Sequence, residues 1–316
     1  MRIGIFTDSY PPQINGVATV SALLNKVFKE HGHEVYVITV SNSKLTQPYE
    51  VNGNIIGISS KAIKNLYNYR ELLKTNVKKE IRGKYKNSFL GVLWSFLNPL
   101  LQIVVYAVVF QLILKNTKEN YAIFICCGLI PWTFFSSAIS RAAFTMVENG
   151  NIIKKVYFPR EILPISIVTS EAVTFLISTL IIIGFVVFGG IGISKYIIFY
   201  PLVLLAQYLL LIAISFIVSS ISVYVRDLQH LIGVVLQLLF YATPIVYAAE
   251  AIPDNFKWML NINPMTYVIN AYRDIFYNQT MIDVVPLLIL IAVSIVACII
   301  GYLIFNKLQK GFAEQL

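Results

Sequence analysis

ILPISIVTSEAVTFLISTLIIIGFVVF, residues 162–188, is an apolar run carrying one charge, Glu171. As a helix rising about 1.5 Å per residue it reaches roughly 40 Å, more than the ~30 Å hydrocarbon core of a bilayer. Working outward, further runs lie at 93–114, 121–145, 196–223, 229–249 and 283–305. Each is near or above the roughly 20 residues that a crossing needs. A chain in lipid must satisfy its own backbone, so all are read as helices, and the fold is an all-α polytopic membrane protein of about six transmembrane helices. The whole sequence agrees, with 57% hydrophobic and only 13% charged residues over 316 positions. The net charge of +9 does not point to nucleic acid, because the basic residues flank the apolar runs. Lys61, Lys64, Arg70, Lys74, Lys78, Lys79, Arg82, Lys84 and Lys86 precede the first run, Lys154, Lys155 and Arg160 follow the second, Arg226 follows the fourth, and Lys307 and Lys310 follow the last. The other side has Lys115, Lys118, Lys195, Lys257 and Arg273. By the positive-inside rule both termini of this multi-pass protein are cytoplasmic. The long outer connection from Glu250 to Asp283 carries Pro253, Trp258 and Pro264 and is expected to form two short helices in the outer interface.

Ahead of the first run, Tyr69, Leu72, Leu73, Val77, Ile81 and Tyr85 recur at helical spacing opposite Arg70, Lys74, Lys78 and Arg82. That pattern predicts a basic amphipathic helix lying in the membrane interface. Residues 61–92 therefore form an interfacial helix and entry segment, and 93–316 the transmembrane domain. Residues 1–60 differ in character. Ile3 and Ile5 alternate as in a strand, a Pro11-Pro12 loop follows, Val17 to His31 has helical periodicity, Gly32 suits a helix C-cap, and EVYVITV (34–40) reads as a second strand. This is a short α/β (βαβ) fragment. Asp8 and the prolines interrupt what a signal peptide would need as its apolar region, so insertion falls to the later runs.

Catalytic constellations are not found. No G-x-x-x-x-G-K-[ST] loop is present, so ATP hydrolysis must come from a partner chain. Cys126, Cys127 and Cys298 sit in apolar runs without C-x-x-C spacing, and His31, His33 and His230 lack metal-ligand spacing. No catalytic, cofactor-binding or metal residues are assigned.

MRIGIFTDSYPPQINGVAT (1–19), with Gly16 opening a helix, and HGHEVYVIT (31–39) resemble the N-terminus of a family 4 glycosyltransferase of the GT-B fold. Such enzymes need a second domain with a Glu-x7-Glu pair, and no two glutamates here stand eight apart, so the likeness stops short of an active site. Four blocks carry a second resemblance: 69–110, ENGNIIKKVYFPREILP (148–164), VRDLQHLIGVVLQLLFYATPIVY (225–247) and INPMTYVINAYRDIFY (262–277). In this order they resemble the permease of type-2 ABC exporters of O-antigen and teichoic acid polysaccharides. The resemblance implies a homodimeric permease working with two copies of a separate ATPase, which binds the ATP and magnesium, to export a lipid-linked polysaccharide.

The resemblance also makes 148–161 the coupling helix, with Ile152, Ile153, Lys154, Lys155, Arg160 and Glu161 meeting the ATPase and Pro159 ending the helix. A plain positive-inside loop is the alternative. Arg226-Asp227 is either a second ATPase contact or a local ion pair. Asn263, Pro264, Tyr272 and Arg273 fall in the family's outer gate, or else form an interfacial anchor. Helical rise places Arg141 and Glu171 roughly 10 and 15 Å inside adjacent antiparallel spans, where they either pair or separate, Arg141 snorkelling and Glu171 facing a wet cavity. Aromatics such as Trp132, Phe134, Phe135, Tyr208, Phe216, Phe240 and Tyr241 could stack on sugar rings or simply pack. Two other functions stay open: export of a drug or small lipid by the same architecture, and a membrane-tethered glycosyltransferase, for which no soluble stretch after Lys61 is long enough.

Overall fold

The structure, a computed structural model, describes residues 2–6, 16–40, 49–52, 55–58, 69–86, 88–113, 118–156, 158–249 and 252–316. The Pro11-Pro12 loop, Lys61, Lys64, Lys115 and Glu250 lie outside the described residues. The chain divides into two compact units, Met1–Leu72 with Ile152–Pro159, and Leu73–Asn151 with Arg160–Leu316.

In the first unit, β1 (Arg2–Phe6), α1 (Gly16–Glu30) and β2 (Glu34–Val40) form the expected βαβ unit, with β1 and β2 parallel and Arg2 opposite Glu34. Gly32, at φ 74°, turns the chain out of α1 in the left-handed region that favours glycine. A hairpin of β3 (Tyr49–Asn52) and β4 (Ile55–Ile58) extends the sheet in the order β1-β2-β4-β3, with β4 parallel to β2. The sequence reading missed this hairpin. Each strand has only four residues, too few for a clear period of two.

The second unit is a helical bundle. Its elements are α2 (Arg70–Tyr85, of which the first turn precedes the unit), α3 (Trp94–Ala107, running on as a π-helical turn Val108–Ile113) and α4 (Tyr121–Glu148). The short α5 (Gly150–Lys155) belongs to the first unit from Ile152 on, and α6 (Ile162–Phe188), α7 (Tyr200–Tyr224) and α8 (Leu228–Ala242) continue the bundle. Then come α9 (Lys257–Ile262), α10 (Pro264–Arg273, continuing as a π turn Asp274–Asn278), α11 (Val284–Leu308) and α12 (Phe312–Gln315). α4 is apolar on every face, as a helix surrounded by others must be, and packs against α3, α6, α7, α8 and α10. α11 is equally apolar but buries only Leu287, Leu290, Ser294, Gly301 and Phe305, a single stripe. Its other faces expose Val285, Ile289, Val296 and Leu303, which lipid would solvate.

Among the described residues five helices are long and apolar enough to cross a membrane, not six. The segment expected to span over 229–249 forms only the 15 residues of α8, about 22 Å. Pro244 stops it. Thr243 takes the extended conformation that a residue before proline prefers, φ −107° and ψ 135°. The outer connection also differs from expectation. α10 does not lie at a surface but buries Met265, Val268, Ile269 and Tyr272 against α4 and α7.

α7 and α11 run parallel, with Tyr224 Oη donating to the Leu308 carbonyl at 2.7 Å and Cys298 Sγ to that of Leu209 at 3.2 Å. A Cβ on Gly301 would lie 2.8 Å from the Ala213 carbonyl oxygen, so the two backbones meet where only glycine fits. Gly301→Val is expected to destabilise the bundle by about 1–3 kcal/mol. Denaturant unfolding in bicelles checks this, with Gly184→Val, where a side chain meets open space, as the control.

Candidate functional site

The C-terminal end of α4, the N-terminal end of α6 and the C-terminal ends of α7 and α11 meet at one end of the bundle. Arg160, Arg226, Lys307 and Lys310 lie there, at what is called the basic end. Just inside it lies a network of four charges. Arg141 on α4 donates from Nη1 to Glu171 Oε1 on α6 at 2.5 Å and from Nη2 to Glu80 on α2. Lys84, one turn beyond Glu80, donates to both Glu171 oxygens at 3.2 and 3.0 Å. Glu171 is only 2% exposed, and a carboxylate so deep persists only when partners replace its water. Two cations and two anions leave the network neutral. Lys79 Nζ also donates to Asn149 Oδ1, at 3.1 Å, so α2 is held to α4 at two places.

The structure thus brings Arg141 and Glu171 together, and adds Glu80 and Lys84, which the sequence reading did not place there. Their signal was an acidic residue set i, i+4 from a lysine on the helix face otherwise held by Leu73, Val77 and Ile81.

Beside the network is a cleft of about 250 Å³ between α3, α4 and α6. Lys84 and Glu171 close one side, and Trp94, Asn98, Ser137 and Thr174 are among its other lining residues. Thr133 joins it to a second cleft of about 410 Å³ between α3, α4 and α8, lined by Gln102, Tyr106, Trp132, Ser136 and Phe240. There Tyr106 and Trp132 each stand 5.8 Å from the Phe240 ring centre. The α3–α4 groove therefore offers hydroxyls and amides at one level and aromatic faces at the next. Of the other aromatics singled out, Phe134 stacks on Phe175 at 5.1 Å and Phe216 packs on Phe305 at 5.6 Å, both inside the core. Tyr208 shares a 2.9 Å hydrogen bond with Thr169.

On α5, Ile152, Lys154 and Lys155 are exposed, while Ile153 is buried. α5 ends at Lys155, four residues before Pro159, so proline does not terminate it. Arg160 faces its own chain: it donates to the Gln309 carbonyl and lies 6.0 Å from the Phe312 ring centre. Glu161, expected at a partner's surface, is only 5% exposed at the entry to α6, and burial raises its carboxyl above the ordinary value against the pull of a backbone hydrogen bond and of Arg160. Arg226 and Asp227 are both exposed, and among the described residues no ion pair joins them.

At the opposite end, Asn263 and Pro264 start α10 in a familiar way. Asn263 Oδ1 accepts from the Met265 amide at 3.0 Å, with proline next in the chain. Asn263 Nδ2 donates to Thr243 Oγ1 at 2.7 Å, fastening α10 to the end of α8. Tyr121 Oη donates to the Val246 carbonyl at 2.5 Å and Arg273 Nη2 to that of Ile245 at 2.8 Å, so carbonyls of the non-helical segment after Pro244 find partners. Tyr272 is fully buried between Phe175 and Tyr200.

Residues 71–277 match the family described as ABC-2 type transporter. The chain is 36% identical over 247 residues to the O-antigen export system permease protein RfbA of Klebsiella pneumoniae, covering 78% of this chain and 95% of that protein. It is 22% identical over 240 residues to the polysialic acid transport protein KpsM of Escherichia coli, 74% of this chain and 92% of that protein. A stretch of 47 residues, 15% of this chain, is 40% identical to the alpha-monoglucosyldiacylglycerol synthase of Streptococcus pneumoniae but covers only 11% of that enzyme. The family match runs through the charge network, both clefts and the α10 fastening, and so this chain belongs to the ABC-2 type transporter family, a membrane permease that works with an ATPase partner.

Proposed function

We propose that the chain is the permease of an ABC exporter that carries a lipid-linked polysaccharide, of the O-antigen, teichoic acid or capsule type, across the cytoplasmic membrane. The observation that carries this reading is the 36% identity spread over 95% of an O-antigen export permease. The α3–α4 groove supports it, since sugar rings stack on aromatic faces and bond to hydroxyls and amides. Two copies of the chain work with two copies of the ATPase, which holds the ATP and magnesium. Exposed apolar faces on α3, with Leu101, Val104 and Val105, and on α8, with Leu231, Val234 and Leu238, are available to the second copy. The basic end faces the cytoplasm, and with it both termini, as the distribution of Lys and Arg favours. Lys154 and Lys155 are offered to the ATPase, with Ile152 as the apolar anchor, and Arg226 and Asp227 are a second contact.

Deleting the gene in its host is expected to abolish surface polymer while lipid-linked polymer accumulates inside, with recovery on re-expression. Unchanged surface polymer would reject the reading in favour of a small-lipid or drug exporter.

Residues 1–60 have no transport role in this reading. Among the described residues this segment is a four-stranded sheet with one helix, a size at which a single core is marginal. A chain beginning at Lys61 is expected to insert and, with its ATPase, to display polymer at the full-length level. Normal insertion with lost display would show that the segment is needed.

A further inference from the structure

A third cleft, of about 590 Å³, runs between α3, α4 and α6. Phe96 and Leu100 of α3, Ile123 of α4 and Leu180, Phe185 and Phe188 of α6 form its walls, and among the described residues that line it none is charged. We propose that this cleft holds one acyl chain of a bilayer phospholipid. A cavity without polar partners holds no ordered water, and an empty one forfeits the contacts its walls would make. The medium around it in the membrane is hydrocarbon. Leu180 and Phe188 are 59% and 94% exposed, so the cleft opens sideways to that medium. Gly184 makes the room. A Cβ there would meet nothing within 4 Å, whereas a Cβ on Gly189 would lie 2.7 Å from Ile123 Cδ1, where α6 closes on α4.

Helical rise puts Leu180 to Phe188 about 27–39 Å from the start of α6, in the half of the ~30 Å hydrocarbon core farther from the basic end. The cleft thus follows α6 for about 12 Å, within the roughly 15 Å that the chains of one leaflet occupy. Asn120, just before α4, and Gly189, just after α6, mark its far rim, and the exposed Asn120 amide stands where a lipid's ester carbonyls can accept from it. The faces available to a second copy lie elsewhere, since Leu101 and Val105 are on the side of α3 that lines the groove with Tyr106 and Phe240. α3 itself buries only Ser95, Pro99 and Ile103, so a chain seated between it and α6 completes its packing. An occupied cleft therefore holds α3 in place beside the groove assigned to sugars. This goes beyond the export reading and does not depend on it.

The test is photolabelling of the full-length chain in phosphatidylcholine nanodiscs that contain a trace of phosphatidylcholine with a diazirine in one acyl chain, followed by peptide mapping. Labelling of residues 180–189 is expected to exceed that of the lipid-facing side of α11 around Val296 by about ten-fold. Gly184→Leu, which fills the cleft, is expected to lower it by about ten-fold, and Val296→Phe, which adds bulk on α11, to leave it unchanged. Denaturant unfolding of each variant shows that it is folded, and if Gly184→Leu is not, the smaller Gly184→Val takes its place beside the wild-type comparison. Labelling no stronger in the cleft than on α11, or full labelling of a folded cleft-filling variant, overturns the proposal. Loss of the label to an equal amount of a polyprenyl phosphate also overturns it, by giving the cleft to the anchor of the exported molecule. No ATPase and no export enter the measurement, so the surface-polymer result stands or falls separately.

Discussion

Glu171→Leu is expected to be among the most destabilising single substitutions in the bundle, costing about 3–5 kcal/mol. The carboxylate accepts from Arg141 and from Lys84 at a depth where water does not replace it. Removing it leaves the Arg141 guanidinium, itself largely covered, with one of its two acidic partners. The double variant Arg141→Leu/Glu171→Leu removes one charge of each sign and leaves Glu80 and Lys84 at i, i+4 on α2, where they can pair with each other. It is therefore expected to regain at least about 2 kcal/mol relative to the sum of the single variants. Denaturant unfolding in bicelles for the four-member cycle gives the answer. Additive effects would mean that the two residues do not act on one another.

The second large effect is on coupling. Lys154→Glu with Lys155→Glu reverses two exposed charges on α5 without touching a buried group. Mismatched charge at an interface costs several kcal/mol, so co-purification of the ATPase is expected to fall by more than about a hundred-fold and export to cease. The bundle's own unfolding is expected to stay the same. Lys307→Glu with Lys310→Glu supplies an equal change of charge at the end of α11 and should act less. Arg160 is left out because its charge-reversed variant would break the contacts with Gln309 and Phe312 and confuse docking with folding. Full ATPase recovery together with full export would remove α5 from the coupling surface.

Both expectations depend on facts of different origin. The apolar runs at 121–145 and 162–188 were readable from sequence, because solvation by lipid is a property of each residue in turn and needs no knowledge of neighbours. The basic stripe of α2, the strands β1 and β2 and the Gly32 turn were legible for the same reason, since helix and strand periods are local. Even the depths of Arg141 and Glu171 followed from counting rise along two antiparallel helices.

What the period of a helix does not tell is which object stands opposite each face. Glu80 carried no reading of its own and Lys84 counted only among the basic residues ahead of the first run, and only the docking of α2 on α4 and α6 turned them into ligands of buried charges. Ile152 and Ile153 are identical in type and adjacent, yet tertiary packing exposes one and covers the other. Glu161 and Arg160 looked like surface charges, and the chain itself claims both. The shortening of α8 had its signal in Pro244, which the reading of 229–249 as one span passed over. The burial of α10 that the shortening permits was not, because it depends on Asn263, Tyr121 and Arg273 meeting backbone and side-chain groups far away in sequence. The sequence by itself determined how much of the chain lipid must solvate and, through the basic residues, which ends should share a side. Only the tertiary structure decided which polar side chains inside that apolar volume find one another, because a buried charge is stable only where distant segments converge on it.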